Sequence, residues 1–370
     1  MRQLFVKIAV ALLRVINLFF GKPELIGRVL IISRQADKPT LDILLLDECL
    51  RGMGVETVVL TRTLKKSPLG LVSYAGHILK QMKYLASSKV VVLDGYCIAV
   101  SVLPKRKGQK VVQMWHALGA VKKFGWQNTE NPDGHGRAFA EAMEMHRNYD
   151  FVITPSKITG SFFAEAFRTP EESLRLYCLP RIDYIKSGKE ASMRRIAAAY
   201  PRTGTKENVL YVPTFRKGSG LKLDRLVAGF DFDSFNLIIK KHFLDSSDYS
   251  WAEAKGAVVD TAFSSMEWLR VCGKVVTDYS AIAFEAAAAG KELYIFQNDV
   301  SDYSHNVGLN IDLTKEAIAP YVCRSEEELF AALREPYDME KLRAFAAKYV
   351  EADTDNCTAK LAGFIKSLMD

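Results

Sequence analysis

A histidine and a pair of lysines follow a short apolar stretch in the segment VVQMWHALGAVKKFGWQ, Val111–Gln127. The apolar beginning predicts a buried strand, and His116 stands where that strand would end. An imidazole near its ordinary pKa can act as a general base at neutral pH, and Lys122 and Lys123 can attract anions. The alternatives are a histidine that only ends the strand and lysines on a solvated face.

A second set of polar residues, suited to phosphate binding, follows apolar stretches in the second half of the chain. These residues are Pro213, Thr214, Arg216 and Lys217 after the first stretch, His242 after the next, and Asp278, Ser280 and Glu285 after the third. Asp278 and Ser280 are N-cap residue types before an alanine-rich run, so a helix that begins there would direct its free N–H groups at an anion. An ordinary capped helix is the alternative.

The elements that position these residues alternate between short apolar strands and helices. The predicted strands are Arg28–Ser33, Glu56–Thr61, Lys89–Leu93, Lys110–Met114, Asp150–Thr154, Asn208–Val212, Asn236–Lys240, Lys274–Thr277 and Glu292–Phe296. Such alternation is typical of doubly wound parallel sheets, whose ligands bind beyond the carboxyl ends of the strands. We therefore expect both sets of polar residues at those ends.

Length favours two domains, since 370 residues exceed what one core usually serves. The polar stretch Lys186–Asn208 is the predicted boundary. We expect an α/β protein with Rossmann-like domains at residues 23–195 and 205–345 facing a central cleft, and a segment, 346–370, whose helix crosses back to the first domain. The six cysteines lack C-x-x-C spacing, which favours a reducing compartment and argues against disulfides or a zinc site.

Positive charge is concentrated in the first third of the chain. Residues 1–125 have a net charge of +13, whereas the remaining residues have a net charge of −6. An excess of this size predicts a polyanionic partner, which could be nucleic acid, an anionic membrane surface or a phosphate-rich substrate. A basic surface that is merely solvated is the alternative.

The N-terminal residues favour the membrane among these partners. Residues 1–22 predict an amphipathic helix in which Lys7 and Arg14 lie on the polar arc and Phe19 and Phe20 end an apolar face. The two charges make the segment too polar to span a bilayer, and no small-residue cleavage site follows. We expect a helix lying in the membrane interface, with packing on its own domain as the alternative.

Six short motifs then give the chain a family resemblance. They are WHALGAVKK (Trp115–Lys123), TPS (Thr154–Ser156), CLPRID (Cys178–Asp183), YVPTFR (Tyr211–Arg216), IIKKH (Ile238–His242) and TDYSAIAFE (Thr277–Glu285). In this order they resemble the motifs of the CDP-glycerol glycerophosphotransferases of teichoic-acid synthesis. The resemblance implies a GT-B fold, and the short chain resembles a primase more than a long polymerase.

The resemblance also implies a reaction and its partners. Glycerol phosphate would pass from CDP-glycerol to a hydroxyl of an undecaprenyl-pyrophosphate-linked saccharide, releasing CMP. The enzyme would lie peripherally on the cytoplasmic face of the membrane, bound to its anionic surface. We expect no metal, no organic cofactor and no nucleic acid, and the sequence leaves the oligomeric state open.

Within this reaction, each candidate residue has an expected role. His116 would take the proton of the acceptor hydroxyl, and His242 would neutralise charge on the leaving CMP. The donor would be held by Pro213, Thr214, Arg216, Lys217, Asp278 and Ser280, with Glu285 on its ribose, and the acceptor by Gln35, Asp42, Lys122 and Lys123.

Departures from the family pattern leave two alternatives open. Ala117–Gly119 replaces the usual Gly-Thr-Pro after the histidine, and Ala281 replaces a serine. CDP-ribitol is therefore an alternative donor, and a nucleotide-sugar glycosyltransferase would share the fold and the cleft. A nucleic-acid-binding protein would explain the basic charge but not the motifs.

Overall fold

The computed structural model describes residues 2–65, 67–214, 223–241, 245 and 247–370. These residues form two six-stranded sheets in which every strand pairing is parallel. Helices connect successive strands, which is the architecture expected when parallel strands need long crossovers. The predicted α/β class with two Rossmann-like halves is confirmed.

The first sheet has the strand order β2-β1-β3-β4-β5-β6. Its strands are β1 (Ile26–Ser33), β2 (Glu56–Thr61), β3 (Ser88–Leu93), β4 (Lys110–Gln113), β5 (Phe151–Thr154) and β6 (Leu174–Leu176). The strand order reverses between β1 and β3, so polar residues that follow these two strands lie on either side of a crevice.

The second sheet has the strand order β12-β11-β10-β7-β8-β9. Its strands are β7 (Glu207–Val212), β8 (Phe235–Lys240), β9 (Val258–Asp260), β10 (Lys274–Thr277), β11 (Glu292–Phe296) and β12 (Val322–Cys323). Here the order reverses between β7 and β10, which precede two of the predicted phosphate-binding segments.

Helices cover both faces of the sheets and both ends of the chain. They are α1 (Arg2–Phe19), α2 (Leu41–Gly52), α3 (Pro68–Leu85), α4 (Ile98–Val102), α5 (Arg137–Ala142), α6 (Lys157–Phe167), α7 (Arg181–Lys186), α8 (Lys189–Ala199), α9 (Asp224–Gly229), α10 (Ser250–Ala254), α11 (Ser265–Val271), α12 (Ile282–Ala288), α13 (Val300–Val307), α14 (Glu326–Arg334), α15 (Met339–Tyr349) and α16 (Cys357–Ser367).

Two helices near the predicted domain boundaries pack against the other half of the protein. Most of α8 falls within residues 23–195, but this helix packs against α11 of the second half. The C-terminal α16 packs against α2 in the first half. One continuous cluster of buried apolar residues includes strands of both sheets, so the two halves share a core.

The N-terminal helix α1 packs on its own domain through one face and leaves a second, apolar face exposed. Val6 and Val10 are buried against α4 and α5, and Phe20 also packs on this core. Arg14 is turned to the protein, where Nε donates to the carbonyl oxygen of Val102 at 3.0 Å. The exposed residues, each more than half accessible, are Leu4, Phe5, Ile8, Leu12, Val15, Leu18 and Phe19.

The structure therefore shows that the N-terminal helix packs on its own domain, whereas its location at a membrane stays a prediction, and the position of Arg14 differs from the predicted polar arc. Lys7 remains exposed, whereas the Arg14 guanidinium also pairs with Glu144 at 2.5 Å. In the described part of the chain, no helix combines the length and apolar character needed to cross a bilayer.

Candidate active site

Polar residues from both sheets collect at the two points where strand order reverses. In the first sheet, Ser33 ends β1 and Asp94 follows β3, with His116 beyond the neighbouring β4. In the second sheet, Thr214 follows β7 and Asp278 follows β10. Reversals of this kind are where doubly wound sheets bind their ligands, so each half presents one side of a candidate site.

The turn that carries His116 contains a tryptophan, Trp115, whose backbone has the left-handed conformation. Trp115 has a φ of 61°, and its backbone N–H donates to the side-chain oxygen of Gln113 at 2.9 Å. The indole stacks on Phe124 with ring centroids 4.9 Å apart and contacts Phe167 edge-on. A bulky residue with positive φ is unusual, and here the aromatic packing keeps it in place.

The imidazole of His116 has one nitrogen fixed by the backbone. Nδ1 lies 2.8 Å from the carbonyl oxygen of Asp94. A carbonyl oxygen can only accept, so Nδ1 carries the proton and the neutral ring has its lone pair on Nε2. Within the described part of the chain Nε2 has no hydrogen-bond partner. The side-chain amide nitrogen of Gln35 also lies 3.1 Å from Nδ1, and with the amide turned by 180° its oxygen would accept from the Nδ1–H; either orientation places this predicted acceptor residue beside the ring.

The environment of His116 lowers its pKa to about 4, so the expectation of an ordinary pKa is wrong. Burial is the main cause, because a desolvated ring resists protonation, and the nearby cations Arg181 and Lys122 add to it. The bond to Asp94 and the charge of Asp42 oppose the change. The ring is therefore neutral, and able to accept a proton, throughout the physiological pH range.

Asp94 is a buried carboxyl group that the sequence did not single out. Ser33 Oγ donates to Oδ2 at 2.7 Å, whereas Oδ1 has no partner among the described residues. Burial raises the pKa of Asp94 to about 6, against the hydrogen bond from Ser33. Asp94 thus orients His116 through its main-chain carbonyl oxygen, and its own side chain is a carboxyl group with a raised pKa.

Arg181 joins the two halves of the protein beside His116. Its Nε donates to Asp42 Oδ2 at 2.8 Å, and its second guanidinium nitrogen donates to Glu285 Oε1 at 3.0 Å. The third nitrogen bonds Asp42 as well and donates to the carbonyl oxygen of His116 at 3.0 Å. The CLPRID motif contained this residue, but nothing in the sequence indicated which carboxylates it would bind.

This arrangement changes the roles expected of Asp42 and Glu285. Their side chains are only 2% and 1% exposed, and each forms an ion pair with Arg181. In this structure Asp42 is therefore enclosed by its bonds to Arg181, so a contact with the acceptor stays a prediction that would require this ion pair to open. Oε2 of Glu285 has no partner in the described structure but is inaccessible, so a contact with ribose would require movement.

A glycine lets the His116 turn approach the second half closely. A Cβ atom on Gly119 would lie 2.3 Å from Cδ2 of Phe284 in α12. Just beyond it, Lys122 forms a β-bridge with Leu309, and the backbone N–H of Lys123 donates to Gly308 at 3.0 Å. Both lysines are partly buried at the contact between the halves, and Lys122 is close enough to lower the pKa of His116.

Asp278 organises the segment after β7 and does not cap a helix. Its carboxylate accepts from the Thr214 backbone N–H at 2.9 Å and from the Thr214 hydroxyl at 2.7 Å. It also accepts from the N–H of Tyr279 at 2.6 Å. Asp278 thus ties together the two segments at the reversal of the second sheet, next to buried Pro213.

Helix α12 begins later in the chain than predicted. The residue at the N-cap of α12 is Ala281, which has no side-chain cap, and the helix has only seven residues. Ser280 precedes it, and its hydroxyl accepts weakly from Ile282 at 3.4 Å. Three further candidates, Arg216, Lys217 and His242, lie outside the described residues.

Chemically, the described site combines a neutral imidazole with a free nitrogen and an adjoining interdomain ion-pair network. Such a base can take a proton from a hydroxyl that attacks an electrophile in the cleft. At the second reversal the described donors, the N–H and hydroxyl of Thr214 and the N–H of Tyr279, are bonded to the carboxylate of Asp278. The side chains that would neutralise the charge of an anionic substrate are the three candidates outside the described residues.

Comparisons with known proteins agree with this geometry. Residues 52–367 match the family described as CDP-glycerol:poly(glycerophosphate) glycerophosphotransferase. The teichoic acid ribitol-phosphate primase of Bacillus spizizenii is 26% identical over 85% of this chain and 84% of its own length. The teichoic acid glycerol-phosphate primase of Bacillus subtilis is 24% identical over 79% of this chain and 77% of its own length.

Solved structures agree in fold. The wall teichoic acid polymerase TagF superposes with a TM-score of 0.75 at 14% identity, covering 100% of this chain and 98% of that one. A UDP complex of Staphylococcus aureus MnaA gives a TM-score of 0.55 at 12% identity over 92% of this chain and 96% of its own. The first similarity supports the GT-B-like arrangement, and the sequence match over most of the chain is specific. The chain therefore belongs to the CDP-glycerol:poly(glycerophosphate) glycerophosphotransferase family.

Proposed function

We propose that this protein transfers glycerol phosphate from CDP-glycerol to a hydroxyl of an undecaprenyl-pyrophosphate-linked saccharide, releasing CMP. The observation that carries the proposal is the geometry of His116, whose Nδ1 is bonded to a carbonyl oxygen and whose Nε2 has a lone pair. Family membership supports the reaction class, and the relatives named as teichoic acid primases support the polymer.

In the proposed step, Nε2 of His116 takes the proton of the acceptor hydroxyl. The hydroxyl oxygen forms a bond to the phosphorus that bears glycerol, and the bond from that phosphorus to the bridging oxygen breaks. The electron pair of the broken bond leaves with CMP. Phosphoryl transfer depends mainly on positioning and charge neutralisation, so a fixed, neutral base is well suited to it.

Substrate binding would make His116 a stronger base. In the free protein, burial and two cations hold its pKa near 4. Two donor phosphates beside the ring would raise this pKa, because nearby negative charge favours the imidazolium. Basicity would then increase only when the donor is bound, just as the acceptor hydroxyl must lose its proton.

The donor would lie at the reversal between β7 and β10. Asp278 holds the backbone of Thr214, two residues before Arg216 in the sequence. The cations Arg216 and Lys217, together with His242, would neutralise the charge that develops on CMP, and Ser280 would donate to a phosphate oxygen. Gln35, beside His116, would contact the acceptor together with Lys122 and Lys123.

CDP-ribitol is the second candidate donor. The relative with 26% identity is named a ribitol-phosphate primase, while relatives at 24% identity are named glycerol-phosphate primases. Relatives named as primases and as polymerases both match, at 26% identity for the ribitol-phosphate primase and 29% for a poly(ribitol-phosphate) polymerase, so the assay counts the units added to the acceptor. The exposed apolar face of α1 supports a peripheral position on the cytoplasmic face of the membrane.

A donor screen tests the function directly. The purified chain would be incubated with a polyprenyl-diphosphate-linked saccharide and, separately, CDP-glycerol, CDP-ribitol or a UDP-sugar. We expect CMP release with a CDP-alditol and an acceptor whose mass increases by one alditol phosphate. UDP release with a mass increase of one sugar would replace this proposal with a glycosyltransferase.

A further inference from the structure

A basic pocket lies at the carboxyl edge of the first sheet, apart from the His116 turn. It opens between the end of β2 and α3 with a volume of about 360 Å³. Its polar lining consists of Thr61, Arg62, Ser73, Gly76, His77 and Lys80. Four of the lining residues belong to α3, namely Ser73, Gly76, His77 and Lys80. They are three or four positions apart, so they share one face of the helix.

The lining has the chemistry of an anion site. Arg62 and Lys80 provide two exposed cations, and no carboxylate occurs among the described residues that line the pocket. The Arg62 guanidinium also donates to the Ser73 hydroxyl, which holds both groups at the rim. Arginine and lysine together with a hydroxyl are common phosphate ligands in proteins.

A buried histidine lacks a partner in the same pocket. His77 is only 9% exposed, and its Nε2 has no hydrogen-bond partner within the described residues. That nitrogen is inaccessible to solvent, so a ligand in the pocket could bond it only after a movement of the side chain. Burial, followed by the charges of Arg62 and Lys80, lowers the pKa of His77, which indicates that both cations lie close to the ring.

The helix that lines the pocket also carries exposed apolar side chains. Leu69, Leu71 and Val72 of α3 are among the most exposed large apolar residues outside α1. Leu69 lies one helical turn before Ser73. Helices α3 and α1 both pack on α4, so the two helices that carry most of the exposed large apolar residues are neighbours of the same element. Helix α3 therefore offers a lipid chain exposed apolar surface on the same helix as the polar groups of the pocket.

The distance from the pocket to His116 suits a saccharide. The pocket follows β2, and His116 follows β4, which is three strands away in the order β2-β1-β3-β4. At the usual spacing between strands this separation is about 14 Å along one edge of the sheet. A short saccharide bridges a distance of this order between its diphosphate and its terminal hydroxyl.

We infer that this pocket binds the diphosphate of a polyprenyl-linked acceptor, with the saccharide extending along the sheet edge towards His116. The inference rests on the proposed function and adds the position of the acceptor. It assigns Arg62, Lys80 and the Ser73 hydroxyl to the two phosphates and the exposed apolar residues of α3 to the first part of the lipid chain.

Gly76 offers a substitution that fills the pocket without changing charge. A Cβ atom there would meet nothing within 4 Å, so a larger side chain fits sterically at this helical position. We expect Gly76→Leu to raise the KM for the lipid-linked acceptor at least about tenfold, as should the double variant Arg62→Ala with Lys80→Ala. The kcat and the KM for the CDP-alditol should stay within about twofold, because no donor contact is lost.

A matched control removes the same charge elsewhere on the domain. Lys107 is exposed and Lys110 begins β4, at the opposite edge of the sheet. The double variant Lys107→Ala with Lys110→Ala should leave the KM for the acceptor unchanged. An equal increase in this control would show a general effect of net charge and overturn the inference.

A binding measurement separates this inference from the proposed reaction. Calorimetry with inorganic pyrophosphate, in the presence of saturating CMP, should detect binding by the wild-type chain and not by Gly76→Leu. This result stands even if no CDP-alditol is turned over, in which case only the proposed function fails. Absence of binding by the wild-type chain would overturn the inference.

Vesicles distinguish the acceptor from ordinary phospholipid. In phosphatidylcholine vesicles doped with the polyprenyl-diphosphate saccharide, Gly76→Leu should lose the binding that depends on the dopant. Its binding to phosphatidylglycerol vesicles without the acceptor should match that of the wild type. Loss of phosphatidylglycerol binding with a normal KM for the acceptor would assign the pocket to a bulk lipid headgroup and overturn the inference.

Discussion

His116 acts in the proposed reaction through the nitrogen that the backbone does not bind. His116→Ala should lower kcat by about 10²–10⁴-fold, because the acceptor proton loses its base. His116→Gln should not restore turnover, since an amide can form hydrogen bonds but cannot accept the proton. Steady-state release of CMP in the presence of acceptor measures both variants.

Donor binding provides the control for these variants. Calorimetric titration with CDP-glycerol should give both variants the affinity of the wild type, because His116 is assigned to the acceptor. Near-normal CMP release by His116→Ala, with acceptor present, would remove the histidine from the mechanism.

The depressed pKa of His116 predicts an unusual pH dependence. At pH values below its pKa of about 4 the ring is protonated and cannot act as a base, and at pH values above it the ring is neutral and can accept a proton. The acid limb of kcat/KM due to His116 should therefore lie near pH 4, well below the ordinary histidine value. Rates measured at fixed ionic strength from pH 4 to 8 test this.

A second group could give an inflection at higher pH. The pKa of Asp94 is raised to about 6, so its carboxyl gains charge as pH rises through that value. Comparison with Asp94→Asn separates the titration of Asp94 from that of His116, since this variant keeps the main-chain carbonyl that binds His116. An acid limb near pH 6.5 in both the wild type and Asp94→Asn would contradict the lowered pKa of His116.

At the residue scale, the sequence indicated which groups could do chemistry but not what surrounds them. His116 was recognised from its place after a strand and from the flanking motif. Its pKa depends on burial and on Arg181, which is 65 residues away in the chain. Asp94 acts on His116 through a main-chain carbonyl, and a main-chain contact leaves no signature in residue type.

Close contact between elements makes Gly119 a position where only glycine fits. Gly119→Ala would bring a methyl group within 2.3 Å of Phe284, so the turn and α12 must separate. We expect a destabilisation of about 1–3 kcal/mol, typical of overpacking, and a lower melting temperature. The control is Gly363→Ala in α16, where a Cβ meets nothing within 4 Å and should be neutral or stabilising. Equal melting temperatures for the two variants would contradict this packing.

The exposed face of α1 makes a testable prediction about location. Substituting Phe5, Leu12 and Phe19 with serine removes apolar area that would enter the membrane, at about 1.5–3 kcal/mol for each fully buried side chain. We expect binding to anionic vesicles to fall at least about tenfold while the fold persists, because these residues are exposed and Val6 and Val10 are retained. Sedimentation with vesicles measures the loss.

Exposed apolar residues elsewhere supply the matched control for α1. Leu176 and Met193 are also exposed, and serine at both should leave vesicle binding unchanged. If the α1 variant still sedimented with vesicles as the wild type does, the helix would be only a packed surface element.

At the element scale, strands of four or more residues were predictable from their apolar runs. Glu56–Thr61, Lys274–Thr277 and Glu292–Phe296 have the predicted bounds. The strands β6, β9 and β12 were missed because two or three residues carry too little periodicity to be recognised. The start of α12 was misplaced because Asp278 uses its side chain to bind Thr214 across the sheet, a tertiary contact that residue type alone does not reveal.

At the scale of the whole molecule, the two halves are joined by specific contacts beside the site. Arg181 bonds carboxylates from α2 and α12, and Asn310 from the second half donates its backbone N–H to Val121 at 2.8 Å. Motif order and strand alternation predicted two Rossmann-like halves. They could not predict that a buried arginine would connect them, because such a contact depends on the relative placement of the halves.

Removing Arg181 should therefore affect both stability and catalysis. Arg181→Met leaves the carboxylates of Asp42 and Glu285 buried without their cation, which should cost about 3–5 kcal/mol. The matched control is Arg137→Met, because the side chains of Arg137 and its partner Glu141 are 59% and 55% exposed. Exposed pairs contribute little, so this control should lose less than about 1 kcal/mol. Thermal unfolding of both variants measures the difference.

A triple variant separates the stabilising role of Arg181 from its role in positioning His116. Combining Arg181→Met with Asp42→Asn and Glu285→Gln removes the unpaired charges, so most of the lost stability should return. Catalysis should not return, because the His116 carbonyl oxygen still lacks the donor that holds it 3.0 Å away. The expected signature is a melting temperature near that of the wild type with kcat reduced at least about tenfold, and with the KM for the CDP-alditol little changed. Recovery of kcat together with stability would show that the ion-pair network only holds the halves together, and that His116 is positioned by Asp94 and the Trp115 turn alone.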